Sequence, residues 1–231
     1  MRGVRKFIRT FIQKFNKKKK RNVLYLTLVS LFLISSVILG IITFRQKQFD
    51  QRVYQLQELA LEQMTTKEPT YVRGNYSGND IETLQMNHLT VDPQALIDRY
   101  GVGMISIPSI NLQLPILEGI TQANLSIGVG TVRPNQKLGE GNFVLLGHYM
   151  TNEGLLFGGL KQVEIGDTIQ ISFYQENAEY VVQEVKVIHQ SEGQYMLNDP
   201  SDHHWLTLLT CDGSRVGTDY RVMVRATIKE K

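Results

Sequence analysis

Between Val23 and Phe44 the chain runs for 22 residues without a charged side chain, and this run constrains the fold more than any other stretch. Coiled as an α-helix that rises about 1.5 Å per residue, it spans the ~30 Å hydrocarbon core of a bilayer. A cleaved signal peptide would carry an apolar region of only about 7 to 15 residues closed by small side chains. This run instead ends on Ile41-Ile42-Thr43-Phe44-Arg45, so an uncleaved signal-anchor is expected over residues 23–44.

Charge orients that helix. Ten of the 25 basic residues lie between Arg2 and Arg21 with no acid among them, which leaves 15 bases against 22 acids in the remainder. The net charge of +3 therefore conceals a basic tail and an acidic body of net −7. With only Arg45, Lys47 and Arg52 near the other end of the run, the cation excess predicts that residues 1–22 are cytoplasmic and residues 45–231 lie outside the cell. Lys17 to Arg21 alone would look like a nucleic-acid patch. Beside a membrane span, attraction to anionic lipids at about 1 kcal/mol per basic residue accounts for it, so membrane lipids are expected partners and nucleic acids are not.

Beyond the span, Phe49, Val53, Leu56, Ala60 and Met64 recur at helical spacing among polar residues, which predicts an outward helical stalk too short for a coiled coil. Residues 65–80, with Pro69, Gly74 and Gly78, then read as a linker, and the folded domain is expected over residues 81–231. It opens on a short helix: Asp92 as N-cap, Pro93 in the first turn and Gly101 just past the end. Seven β-rich segments follow, Met104–Ile107, Leu112–Glu118, Asn142–Gly147, Thr168–Tyr174, Glu179–Ile188, Trp205–Thr210 and Arg221–Ile228, parted by Gly, Pro and Asn. Thr168–Val187 should form a hairpin turning at Gln175-Glu176-Asn177-Ala178, and Leu155–Val163 a short helix across one end. Seven strands with little helix between them predict an all-β closed barrel or sandwich. No period of 20 to 50 residues recurs, which excludes a solenoid.

A domain outside the cell with one cysteine has no internal disulfide and rests on its core. Cys211 ends the apolar run Trp205–Thr210 where a turn-rich segment begins, a place from which a thiol can be presented. A cysteine simply buried in the core is the competing reading. A thiol attacks a carbonyl well only as thiolate, so it needs a base or cation nearby. Arg221 opens the next strand. Of the five histidines only His148 closes an apolar strand, Asn142–Gly147. Arg215, in a Gly/Ser turn, and Arg225, about 13 Å further along the same strand face as Arg221, are rival cations.

Thr207-Leu208-Leu209-Thr210-Cys211 resembles the TLxTC signature of sortases, the cysteine transpeptidases of Gram-positive cell walls, and His148 and Arg221 fit the family's histidine and arginine in order. The likeness runs from about Ile105 onward. It implies a sortase-type barrel of about seven to eight strands with short helices. It also implies cleavage of an LPXTG-type signal between Thr and Gly, and transfer of the acyl group to an amine of a lipid-linked peptidoglycan precursor. Cys211 would be the nucleophile, His148 the general acid and base, and Arg221 the donor to the substrate backbone or oxyanion. Leu146, Leu209 and Thr210 are expected to line the substrate groove. Asp92-Pro93 lacks the aromatic that follows in pilin-type lids, the chain ends soon after its last strand, and the loop from His189 to His204 has no clear helix, which points to class A. Some class A members bind calcium in the loop before the histidine strand. Here Asn135–Asn142 offers a single acid, Glu140, beside Lys137, so no cofactor is expected. A membrane-tethered Cys/His wall-peptide hydrolase and a non-enzymatic anchored β-domain are the alternatives.

Overall fold

The computed structural model describes residues 2–79, 81–197, 204–213 and 218–229, with residues 2–22 by their backbone. The chain divides into two compact units at Gln48/Phe49. Helix α1 (Arg2–Thr66) contributes to both. In the first unit, the side chains between Val23 and Phe44 are exposed, Tyr25 and Phe32 by more than two thirds, and the helix is long and apolar enough to cross a membrane. Its hydroxyls are satisfied locally. Thr27, Ser30 and Ser36 donate to the carbonyls of Leu24, Thr27 and Phe32 at 2.7, 2.9 and 2.9 Å, which removes the cost of bringing a bare hydroxyl into hydrocarbon.

The second unit begins at Phe49, well before Ile81. The apolar stripe read as a free stalk is the inner face of a helix packed into the domain: Val53, Leu56, Ala60 and Met64 are buried in its main core. Burial of such a side chain stabilises by roughly 1.5–3 kcal/mol for the larger ones. Leu156 also donates its N–H to Gln57 Oε1 at 3.1 Å. The Gly/Pro stretch after it is likewise held against the barrel. Ile120 N donates to Asn75 O at 2.8 Å, and Tyr76 donates to the buried carboxylate of Glu118 at 2.5 Å. At Gly74 a Cβ would sit 2.8 Å from the Glu118 backbone, so glycine is required by close approach. The composition signalled a linker, but these residues form a strap.

Helix α2 (Pro93–Tyr100) has the expected cap, with Ala95 N donating to Asp92 Oδ1 at 3.3 Å. Gly101 closes it in an extended rather than left-handed conformation and begins the barrel. Eight strands follow: β1 (Gly101–Ile107), β2 (Leu112–Leu117), β3 (Val129–Thr131), β4 (Asn142–Leu146), β5 (Thr168–Phe173), β6 (Glu176–His189), β7 (Trp205–Cys211) and β8 (Tyr220–Ile228). They close in the order β1-β2-β3-β4-β7-β8-β6-β5. A short helix α3 (Gln122–Leu125) crosses between β2 and β3. Closure leaves no free sheet edge. The eighth strand, β3, has only three residues, too few to show a period. The β5/β6 hairpin turns on Tyr174-Gln175, both at positive φ (45° and 72°), the conformation of a tight two-residue connection. It therefore turns earlier than the predicted Gln175–Ala178. A 3₁₀ turn at Gly158–Gln162 stands where a short helix was expected.

Candidate active site

Two of the three predicted residues stand on neighbouring strands, Cys211 on β7 and Arg221 on β8, and His148 follows β4, the other neighbour of β7. β4 and β7 run parallel in register from Asn142↔Trp205 to Leu146↔Leu209, and Gly147 N continues the ladder to Leu209 O at 3.1 Å. His148 follows in the loop that leaves the end of β4. On the other side β7 and β8 are antiparallel, and Cys211 stands directly opposite Arg221. Directly opposed residues hold their Cβ atoms about 4.5–5.5 Å apart. Residues 10 positions apart in sequence thus face each other across two strands, and His148 lies just past β4, the other neighbour of β7.

Alternation along β7 divides its side chains. Leu206 and Leu208 enter the main core, whereas Leu209 joins Val144, Ile188 and Met223 in a second cluster, with Val132, Leu146 and Tyr195 packed at its margin. Cys211 follows Leu209 by two residues within β7, so it belongs to the face of this second cluster. Leu146 and Leu209 lie together on that face. Thr210 does not join them. It is fully buried on the opposite face, because a one-residue step along a strand reverses the side chain.

His148 is only 6% exposed. Its carbonyl accepts from Phe157 N at 3.1 Å, and a Cβ at the preceding Gly147 would lie 2.6 Å from the Phe157 ring, so glycine lets the ring close over the turn. Burial lowers the imidazole pKa to about 4, with a smaller contribution from His88. The ring is therefore neutral at pH 7, and its Nε2 is buried without a hydrogen bond. His88 lies outside the recognised motif and bonds Gln122 Nε2 through Nδ1 at 2.9 Å.

Cys211 is partly exposed. The guanidinium of Arg221 is held by its own strand entry: Nη1 donates to Thr218 O at 2.5 Å and Tyr220 O at 2.9 Å, and Nη2 donates to Gln190 Oε1 at 3.3 Å. The rival Arg225 pairs in register with Thr207 and stacks over the Trp205 ring at 3.9 Å, away from the thiol. Arg215 lies outside the described residues.

Two residues that no motif flagged hold the loop between β6 and β7. Buried Asn142 accepts from Thr207 Oγ1 at 2.7 Å and donates to Tyr195 O and Leu197 O at 2.9 and 3.0 Å. Arg133 Nη1 donates to Met196 O at 2.8 Å. That loop contains one 3₁₀ turn, Gly193–Met196. In the loop before β4, Glu140 pairs with Lys137 at 3.3 Å and Gln136 bonds both backbone groups of Val144. No group of three or more His, Cys, Asp or Glu gathers as a metal cage among the described residues. Asp199 and Asp202 lie outside them.

Residues 105–229 match the family model for the sortase domain. The chain belongs to the sortase family. Its members are cysteine transpeptidases, and the eight-stranded barrel matches the sortase fold. The sequence is similar to Sortase A of Listeria monocytogenes, 35% identical over 136 residues that cover 58% of this chain and 60% of the relative. It is also similar to Sortase A of Bacillus anthracis, 28% identical over 197 residues, 83% of this chain and 88% of that one. Among solved structures, the Listeria sortase A superposes with a TM-score of 0.54 at 34% identity over 57% of this chain and 88% of that chain. Corynebacterium diphtheriae sortase A gives 0.53 at 26% identity over 78% and 85%. These names agree with the class A assignment of this sortase.

Proposed function

We propose that this sortase is a membrane-anchored transpeptidase that cuts LPXTG-type sorting signals between Thr and Gly and joins the new carboxyl to an amine of a lipid-linked peptidoglycan precursor. The observation that carries the reading is the direct opposition of Cys211 and Arg221 across β7 and β8, with His148 just past the end of β4, the strand on the other side of β7, and apolar Leu146 and Leu209 on the same face.

In this reading, Cys211 Sγ attacks the Thr carbonyl while its proton passes to the neutral His148 ring. Arg221 stabilises the oxyanion that forms. The C–N bond then breaks, His148 returns the proton to the departing glycine amine, and the acyl group remains on sulfur as a thioester. An incoming amine attacks that thioester, gives its proton to His148, and expels the Cys211 thiolate, which is reprotonated. Leu146 and Leu209 contact the bound signal. Thr210 faces inward and does not.

Incubating the full chain with an LPXTG-type peptide and an added amine should yield the peptide cut after Thr with the amine attached. A product bearing only a free carboxylate, at every amine concentration, would favour the wall-peptide hydrolase instead.

The ten cations before the apolar helix support an outward-facing catalytic domain. Protease added to intact cells should therefore remove the domain while a cytoplasmic control survives. Survival of the domain until lysis would reverse the orientation. Calcium is not part of the proposal, because Glu140 is the only acid in its loop and is already engaged with Lys137, whereas a calcium cage takes six to eight oxygens. Chelation with EDTA should leave transfer within about twofold. A large loss restored by calcium would redirect attention to Glu192, Asp199 and Asp202.

A further inference from the structure

We infer that Gln190 is a positioning residue that keeps Asp219 from capturing the Arg221 guanidinium. The inference rests on the reading of Arg221 as the oxyanion donor. Asp219, just before β8, and Arg221, within it, both bond the side-chain amide of Gln190, which puts a carboxylate and a guanidinium, natural partners, on either side of one group. Asp219 is engaged elsewhere. Its Oδ1 accepts from Gln190 Nε2 at 2.7 Å and its carbonyl from Gln190 N at 2.7 Å, while Gln190 Oε1 accepts from Arg221 Nη2 at 3.3 Å. A carboxylate only accepts and a guanidinium only donates, so the amide has one orientation that serves both. Gln190 sits just past β6, whose last pairs, Ile188↔Arg221 and His189↔Tyr220, bring it to this corner.

An amide in this place has a consequence that neither an apolar nor an acidic side chain reproduces. It satisfies the anion and the cation separately while adding no charge. Among the described residues, Arg221 is then anchored through neutral carbonyls, those of Thr218, Tyr220 and Gln190, and its charge stays available to an oxyanion. Without the amide, Asp219 can pair with Arg221 directly, which draws the guanidinium aside and offsets its charge. Gln190 is exposed, so its replacement should leave the core intact.

The test is peptide-to-amine transfer by the full-length chain in detergent, with an LPXTG-type peptide and hydroxylamine as acceptor. Gln190→Leu should lower kcat about tenfold with KM within about twofold, a part of the 10²- to 10³-fold that one oxyanion donor contributes. Adding Asp219→Asn to Gln190→Leu should return kcat to within about threefold of the parent. Loss in Gln190→Leu that Asp219→Asn leaves uncorrected would reduce Gln190 to a loop anchor and overturn the inference, as would unchanged kcat in Gln190→Leu. Should that variant unfold, the isosteric Gln190→Glu puts a carboxylate on the guanidinium and should cost about tenfold likewise. Unchanged kcat there overturns the inference. Arg221→Ala, assayed in parallel, separates the two failures. If it retains activity, the oxyanion role itself is wrong, and if it is inactive while Gln190→Leu is normal, only the role of Gln190 is lost.

Discussion

His148→Ala and Arg221→Ala are each expected to lower peptide-to-amine transfer by at least about a hundredfold while the domain stays folded. General acid-base catalysis contributes about 10²- to 10⁴-fold and one oxyanion donor about 10²- to 10³-fold. The two losses should differ in character. His148 is neutral at pH 7 because burial lowers its pKa to about 4, so its removal takes away the acceptor of the thiol proton and should be partly offset by raising the pH, which deprotonates the thiol without help. Arg221→Ala removes an oxyanion donor rather than a proton acceptor, so a higher pH should not restore it. Arg225→Ala should change transfer far less, because that guanidinium is spent on the Trp205 ring. Circular dichroism of each variant separates lost chemistry from lost fold. Near-normal transfer in Arg221→Ala with loss in Arg215→Ala would reassign the cation.

Cys211→Ala should abolish transfer altogether. It removes the only thiol in the chain, and no other group on that level of the barrel can form the thioester. The variant should fold, since Cys211 is at a strand end and partly exposed rather than part of the packed interior. Cys211→Ser, which keeps the shape and hydrogen-bonding capacity, should be inactive too, because a hydroxyl beside a neutral histidine is a far weaker nucleophile than a thiol. A non-enzymatic anchored β-domain, by contrast, would show no transfer to lose.

Strand periodicity and turn residues made most of the barrel legible. Seven strands announced themselves by β-branched and aromatic runs, whereas β3, with Val129, Gly130 and Thr131, was too short to carry a period. The β5/β6 turn was misplaced because Tyr174 and Gln175 adopt left-handed conformations that ordinarily call for Gly or Asn. The stripe from Phe49 to Met64 revealed a helix but not its partner. Amphipathic spacing says that one face is covered, not whether another helix or a barrel covers it. The 65–80 stretch misled for a related reason: Gly74 is needed where backbones touch, and composition alone does not tell a tight contact from a flexible joint.

The site divides in the same way. Cys211, His148 and Arg221 were singled out by the likeness of Thr207–Cys211 to the sortase signature and by their places at strand ends, and the barrel's order sets Cys211 opposite Arg221. Leu146 and Leu209 share the face of Cys211, whereas Thr210 is buried on the other. Gln190 and Asn142 gave no signal. Their importance lies in hydrogen bonds to residues 31 and 65 positions away, and an exposed glutamine in a loop looks the same in sequence whatever it holds.

The central claim, that Cys211 carries the acyl group between donor and acceptor, is tested most directly by the intact mass of the protein after brief exposure to an LPXTG-type peptide without added amine. A mass increase equal to the peptide's acyl portion through Thr is expected, located on Cys211 by fragmentation, discharged by hydroxylamine and absent from Cys211→Ala. Cleaved peptide accumulating with no such adduct at the shortest times, or an adduct that persists in Cys211→Ala, would contradict it.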